Sequence, residues 1–264
     1  MSRMTGERPV REVTPDSVLA LHDAGYREVL KRLGDGIVLD LGCGLGFETV
    51  KFTSENRTVV GLDYDQEAAS YVLKNMSGNG LMVARTDCSE IGIKSNSIDF
   101  VSSSHLIEHF VEPAKHVFEI SRVLKDSGTA FFLTPNITAD FENPFHVFLF
   151  NRSGLESLLK EHFEEVWVGG IEAHDKVKDE IAQRRKKASK VYALDKFDLR
   201  HKMPKSWWIW FYTKALPIGQ KLIYRSAFGG ETGITEDDFF VSNDVDNDTP
   251  VLFAIAKVPK SVRF

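Results

Sequence analysis

From about residue 34 to residue 170 the chain alternates short apolar runs with amphipathic stretches. Ile37–Leu41, Thr58–Leu62, Leu81–Ala84, Ser97–Ser102, Thr129–Thr134 and Glu165–Gly169 read as strands. Between them, Phe47–Thr53, Gln66–Asn75, Pro113–Leu124 and Leu155–Phe163 carry helical spacing, and Thr14-Pro15-Asp16 opens an earlier helix over Ser17–Leu33. Strands and helices in strict alternation predict an α/β fold whose mostly parallel sheet is covered on both faces. The rhythm breaks after residue 170 and returns only at Pro250–Val258, so residues 171–235 read as an inserted helical cap. The predicted organisation is an N-terminal helical extension (1–33), a core (34–170), the cap (171–235) and a last strand completing the core (236–264).

The most informative stretch is Val38–Thr49, in which a buried strand breaks into a turn with Gly42, Gly44 and Gly46 on alternate positions. Glycines there let the backbone take positive φ and approach a ligand closely. A dinucleotide site prefers G-x-G-x-x-G. Here the third glycine comes one residue early and Asp40 sits in the strand before the first. Ligands of such sheets bind outside the carboxyl ends of the strands. Asp63, at the end of the second strand, is placed to accept both hydroxyls of a ribose, and Asp87, after the third, to accept an adenine amino group beside the Cys88 backbone. Each acid taken singly is equally well a solvated strand end or a helix cap.

The string Asp40-Leu41-Gly42-Cys43-Gly44-Leu45-Gly46 resembles motif I of the class I S-adenosylmethionine (SAM) methyltransferases. Val59–Asp63, Asp87-Cys88, Asn96–Val101 and Val123–Gly128 look like that family's successive motifs. The resemblance implies a Rossmann-like seven-stranded sheet with an antiparallel last strand. It also implies SAM as cofactor, with Asp40, Gly42, Cys43, Gly44 and Gly46 toward its methionine end. Asp63, Tyr64, Asp87, Cys88 and Ser104 complete the expected cofactor set.

Past the fourth strand comes Ser102-Ser103-Ser104-His105-Leu106-Ile107-Glu108-His109. If Leu106 onward is helical, His105, Glu108 and His109 share one face. H-x-x-E-H also matches a metalloprotease pattern, but the sequence offers no third ligand helix. Glu108-His109 resembles the E-H of methyltransferases of the ubiquinone-biosynthesis type, where the segment faces the acceptor. Those enzymes often carry a glutamate where this chain has His105, which leaves a cation at His105, Glu108 and His109 an open question; no metal is assigned. An alcohol acceptor needs its proton removed, and a histidine titrating near neutrality suits that role. His109 and, in Asn143-Pro144-Phe145-His146, His146 are the candidate bases. The loop is not the Asn/Asp-Pro-Pro-aromatic loop of enzymes that methylate nucleic-acid amines. A SAM-binding module without catalysis, its cap serving as an interaction surface, is the rival from another class, and methyl transfer to N or C of another small molecule is the alternative within the same class.

Composition narrows the partners. A formal net charge of −5 over 264 residues argues against a protein that grips a phosphate backbone. Two cysteines cannot build a disulfide framework or zinc finger, and the first residues contain no apolar leader, so a cytoplasmic protein is expected. Residues 172–225 reverse the sign, with 14 Lys/Arg against 6 Asp/Glu, and include Arg184-Arg185-Lys186-Lys187. Farther on, Pro204–Tyr212 gathers Trp207, Trp208 and Trp210. Too short to cross a bilayer, that run suits a cap core, a homodimer contact, or a peripheral membrane contact with a lipid-linked acceptor. The cap and Ile234–Phe239 loosely resemble methyltransferases of surface-glycan biosynthesis, which ranks small-molecule, sugar and lipid-linked acceptors first.

Overall fold

The computed structural model describes residues 14–76, 80–140, 143, 145–192, 202, 207 and 232–260, with the backbone alone for residues 185 and 187–192. Its elements run α1 (Asp16–Leu30), β1 (Gly36–Leu41), β2 (Arg57–Asp63), α2 (Gln66–Asn75), β3 (Leu81–Arg85), β4 (Ile98–Ser104), α3 (Pro113–Val123), β5 (Leu124–Pro135), α4 (Arg152–His162), β6 (Phe163–Ala173), α5 (Asp175–Tyr192), β7 (Phe239–Ser242) and β8 (Val251–Pro259). Eight strands form one sheet in the order β3-β2-β1-β4-β5-β8-β6-β7. Strands β3 through β5 pair in parallel, whereas β8 runs antiparallel between β5 and β6. The antiparallel last strand is as expected, and the additional strand is the short edge strand β7.

Chain contacts separate two compact units. The larger comprises Gly25–Ala139, Val147–Glu172 and Val241–Phe264 and holds most of the sheet. One face of this sheet buries Leu39, Leu41, Val101, Phe132 and Ala254 with Val117 and Ile120 of α3 and Leu155 and Leu159 of α4. On α1, Gly25 lets the helix settle close to β5, since a Cβ there would meet Leu133 Cδ2 at 2.6 Å. Caps fix the helix starts: Asp65 accepts from Glu67 N at 2.6 Å before α2, and Asn151 accepts from Gly154 N at 2.8 Å before α4. Pro113 stands in the first turn of α3, where its missing N–H costs nothing.

The other unit comprises the described residues of Met1–Ala24, Asp140–His146 and Ala173–Phe240. Helix α5 starts beside the Glu236–Asp238 turn, where His174 N donates to Asp238 O at 3.0 Å and Lys176 Nζ reaches Gly233 O at 2.5 Å. Arg184 of the basic run pairs with Glu180 one turn earlier at 3.1 Å, both side chains being largely covered. Most of the expected aromatic cluster, Trp208 and Trp210 included, lies outside the described residues, while Trp207 is exposed. Among the described residues no helix is long and apolar enough to cross a membrane.

One expected helix is absent, and one conditional helix does not form. Phe47–Thr53 forms only a 3-10 turn, Thr49–Phe52. Thr49, Val50 and Thr53 are poor helix formers, the segment is too short to repay helix nucleation, and its side chains are drawn elsewhere: Thr49 to Asp40, and Phe52 onto Tyr26 with ring centroids 5.4 Å apart. After β4, Ile107–His109 is likewise a 3-10 turn, entered through a left-handed His105 at φ 50°. His105, Glu108 and His109 therefore do not share a helix face.

The glycine turn is held to β2 by close approach. A Cβ on Gly61 would lie 2.7 Å from Cys43 Sγ and 3.0 Å from its Cβ. Gly61→Ala is expected to cost about 1–3 kcal/mol by overpacking. Cys43→Gly in the same chain should restore most of the loss in thermal melts; a single variant as stable as the parent would show that the approach is slack.

Candidate active site

Three strand ends converge at the carboxyl edge of the sheet. Gly42, Gly44 and Gly46 take φ of 74°, 53° and 76°, a region that side chains rarely adopt. That conformation turns the backbone back across β2: Gly42 N and Cys43 N both donate to Leu62 O, at 2.7 and 3.1 Å. Gly44 N then donates to Asp63 Oδ2 at 2.8 Å, while Asp63 Oδ1 accepts from Asp65 N at 2.8 Å. Asp63 is thus held by backbone on both oxygens. Tyr64 beside it is exposed, with Arg85 over its ring at 5.6 Å. Asp87 accepts from Ser89 N and Oγ through Oδ1, at 2.8 and 2.7 Å, and faces solvent. Cys88 is buried, and burial pushes its thiol up to about 12, so it is no nucleophile near neutrality.

Asp40 is expected toward the methionine end of the cofactor, and the structure places it in the interior beside the turn. It is fully buried, and its carboxylate accepts from Thr49 Oγ1 at 2.6 Å and Tyr26 OH at 3.2 Å. Side chains alternate along β1, so with Leu39 and Leu41 in the opposite core, Asp40 points to the side of Tyr26. Burial pushes its pKa up to about 6, against the pull of those hydroxyls. Asp40 tethers Thr49, three residues past the last glycine of the turn. Thr49 closes the glycine stretch itself, so its hydroxyl was a visible signal; nothing in the sequence pointed to Tyr26.

On the acceptor side, Glu108 is fully buried. Its Oε2 accepts from Thr134 Oγ1 at 3.0 Å, and Oε1 lies 3.6 Å from His105 Nδ1. Its backbone carbonyl accepts from Val147 N and Phe148 N at 2.8 and 3.0 Å. His109 is partly exposed in the same turn. His146, in the other unit, has Nδ1 on Asp140 at 2.6 Å and Nε2 on Asn143 at 3.0 Å. The sequence reading missed Thr134, and also His116, discussed below.

A family profile described as a methyltransferase domain matches residues 39–132, the segment that supplies the glycine turn, Asp63, Cys88 and β4. These residues match a methyltransferase domain, and the chain is similar to SAM-dependent methyltransferases of the class I, Rossmann-like type. A Mycobacterium tuberculosis protein named as a probable S-adenosylmethionine-dependent methyltransferase is 31% identical over 163 residues, covering 59% of each chain. A ubiquinone biosynthesis O-methyltransferase of Hahella chejuensis is 32% identical over 126 residues, 47% of this chain and 50% of that one. The matched part thus spans well under two thirds of those relatives. A solved SAM-dependent methyltransferase from Thermotoga maritima aligns over 90% of this chain and 91% of its own, with a TM-score of 0.56 at 14% identity, a likeness of fold.

The residues present fit SAM, the cofactor of that family. At the end of β4 the Ser104 hydroxyl is buried with no hydrogen-bond partner among the described residues, a donor that a ligand at this rim would satisfy. Gly42 is packed by Leu106, whose Cδ1 lies 3.1 Å from where a Cβ would stand, so the turn has no room for a side chain.

Asp63→Ala should remove a charge-assisted bond and weaken binding of S-adenosylhomocysteine by about 1.5–3 kcal/mol, or roughly 10- to 100-fold, in calorimetry. Affinity within a factor of two of the parent would exclude a ribose role. For Asp40 the sign runs opposite to most carboxylates. Its folded pKa, about 6, exceeds its ordinary 3.8, so the folded state holds the proton more tightly and this group's contribution to stability falls as pH rises from about 4 to 6. At 1.36 kcal/mol per pH unit the fall is about 3 kcal/mol. Asp40→Asn should therefore gain on the parent across that window in denaturant titrations; a constant difference would contradict the assignment.

Proposed function

We propose that the protein is an enzyme that moves a methyl group from SAM to a hydroxyl of a small molecule, with a sugar or lipid-linked glycan precursor as the favoured acceptor class. The observation that carries the cofactor half is the attachment of Gly44 N to Asp63 at 2.8 Å, which puts the glycine turn and the ribose acid on one rim. When bound, SAM supplies a methyl group already activated on a sulfonium. The chain's own residues have two remaining tasks, to hold the acceptor in line and to take its proton.

Support for a hydroxyl comes from the histidines that follow β4 and from the similarity to a ubiquinone O-methyltransferase. His109 is the preferred base. His146, with Asp140 on one ring nitrogen and Asn143 on the other, is the weaker candidate. Buried Glu108, held by Thr134, fixes the turn on which His109 stands, and its carbonyl anchors the returning chain at Val147 and Phe148. The reversed charge of residues 172–225 and the Trp207-Trp208-Ile209-Trp210 run favour an acceptor with an anionic or lipid-borne portion.

Labelled SAM incubated with separated lipid and water-soluble extracts tests this reading directly. Label is expected in a small molecule through a base-stable ether, enriched in the lipid fraction. His109→Ala should slow transfer about 100- to 10,000-fold while S-adenosylhomocysteine affinity stays within a factor of two. Binding without transfer to any fraction would favour the non-catalytic module, and transfer undiminished in His109→Ala would remove that residue as base.

A further inference from the structure

Helix α3 buries two polar side chains, His116 and Ser121, and the first lies outside the machinery described so far. His116 is fully buried in line with Val117 and Ile120. Its Nδ1 lies 2.8 Å from the Cys88 carbonyl oxygen and its Nε2 2.9 Å from Ser103 Oγ. A carbonyl only accepts, so Nδ1 carries the proton and Nε2 accepts from the serine hydroxyl. Burial pushes the ring's pKa down to about 4, consistent with this neutral tautomer. Phe110 stacks on the ring with centroids 4.5 Å apart. One imidazole thus joins the loop after β3, the end of β4 and the residue that follows the Glu108-His109 turn.

The loop after β3 has anchors of its own on either side of Cys88. Thr86 N donates to Asp63 O at 3.0 Å, and Ile91 N to Glu119 Oε2 at 2.6 Å. Removing the His116 bond therefore releases the Cys88 carbonyl while both ends of the loop stay tied. The middle is Asp87-Cys88, the strand end at which an adenine is expected. A hydrophobic residue on α3 would fill the same space and avoid the cost of burying an imidazole. What it could not do is fix where the Cys88 peptide points.

We propose that His116 is a positioning residue for the adenine end of the cofactor, holding the Asp87-Cys88 backbone at the depth and angle that the base edge requires. The proposal rests on the reading that SAM binds at this rim. It makes base recognition, rather than folding, the property that depends on the imidazole.

Calorimetry with S-adenosylhomocysteine, 5′-methylthioadenosine and S-inosylhomocysteine provides the test. His116→Phe keeps the ring and its stacking but loses both hydrogen bonds. It should weaken the two adenine ligands by the same factor, about 10-fold, and erase the preference for adenine over the inosine analogue. His116→Asn, whose amide N–H can stand near Nδ1, should recover binding to within about 3-fold of the parent. If His116→Phe does not fold, Ser103→Ala, which removes only the Nε2 partner, should show the same selective loss at about 3-fold. Parent-like adenine preference in the folded variant would overturn the proposal, as would equal losses for adenine and inosine without rescue by asparagine. Failure of the parent protein to bind S-adenosylhomocysteine at all would instead overturn the underlying reading of the rim.

Discussion

The bond from Gly44 N to one oxygen of Asp63 is the constraint on which the rest of the site depends. It forms only because the turn doubles back over β2, where Leu62 O receives two successive backbone donors. The doubling back needs three left-handed glycines, and the close approach needs Gly61 beneath Cys43. In exchange, Asp63 arrives at the rim already oriented, so little side-chain entropy remains to be lost on binding a diol. The parallel order β2-β1-β4 then places the Ser104 hydroxyl and the Glu108-His109 turn along the same edge.

Strands were the most legible part of the sequence, because a strand buried on both faces writes itself as a short unbroken apolar run. Helices α2 and α3 were equally plain, each with a start signal and an apolar stripe. The missing helix at Phe47–Thr53 and the 3-10 turn after β4 share a cause: each segment is a few residues long and sits at the rim. There tertiary demands on Thr49, Phe52, His105 and Glu108 outweigh local propensity. The edge strand β7 was missed because Phe239–Ser242 is too short for periodicity to register.

The candidate site was legible where function fixes backbone and obscure where it fixes side-chain partners. Gly42, Gly44, Gly46 and Asp63 announce themselves by spacing. The partners of Asp40 do not, since Tyr26 lies 14 residues away on a helix whose pattern looks only amphipathic. His116 left a trace, a lone histidine on the buried stripe of α3. That trace gave no direction, because the carbonyl it serves is 28 residues distant.

Burial charges the two ends of the rim differently. Near the turn lie Asp40 and Asp63, both acids, and Asp63 raises the pKa of Asp40 further. Beneath the loop after β3 lie Cys88 and His116, both held neutral by burial; the acid there, Asp87, is solvated. At pH 7, above its folded pKa of about 6, buried Asp40 is mostly ionised and lowers stability by about 3 kcal/mol on the scale above. Positive charge at the turn would favour the ionised form of Asp40, and would do so at one end of the rim only. A ligand that carries positive charge at one end and a neutral aromatic base at the other fits this polarity, whereas a dinucleotide, with phosphates at the turn, would meet two acids there.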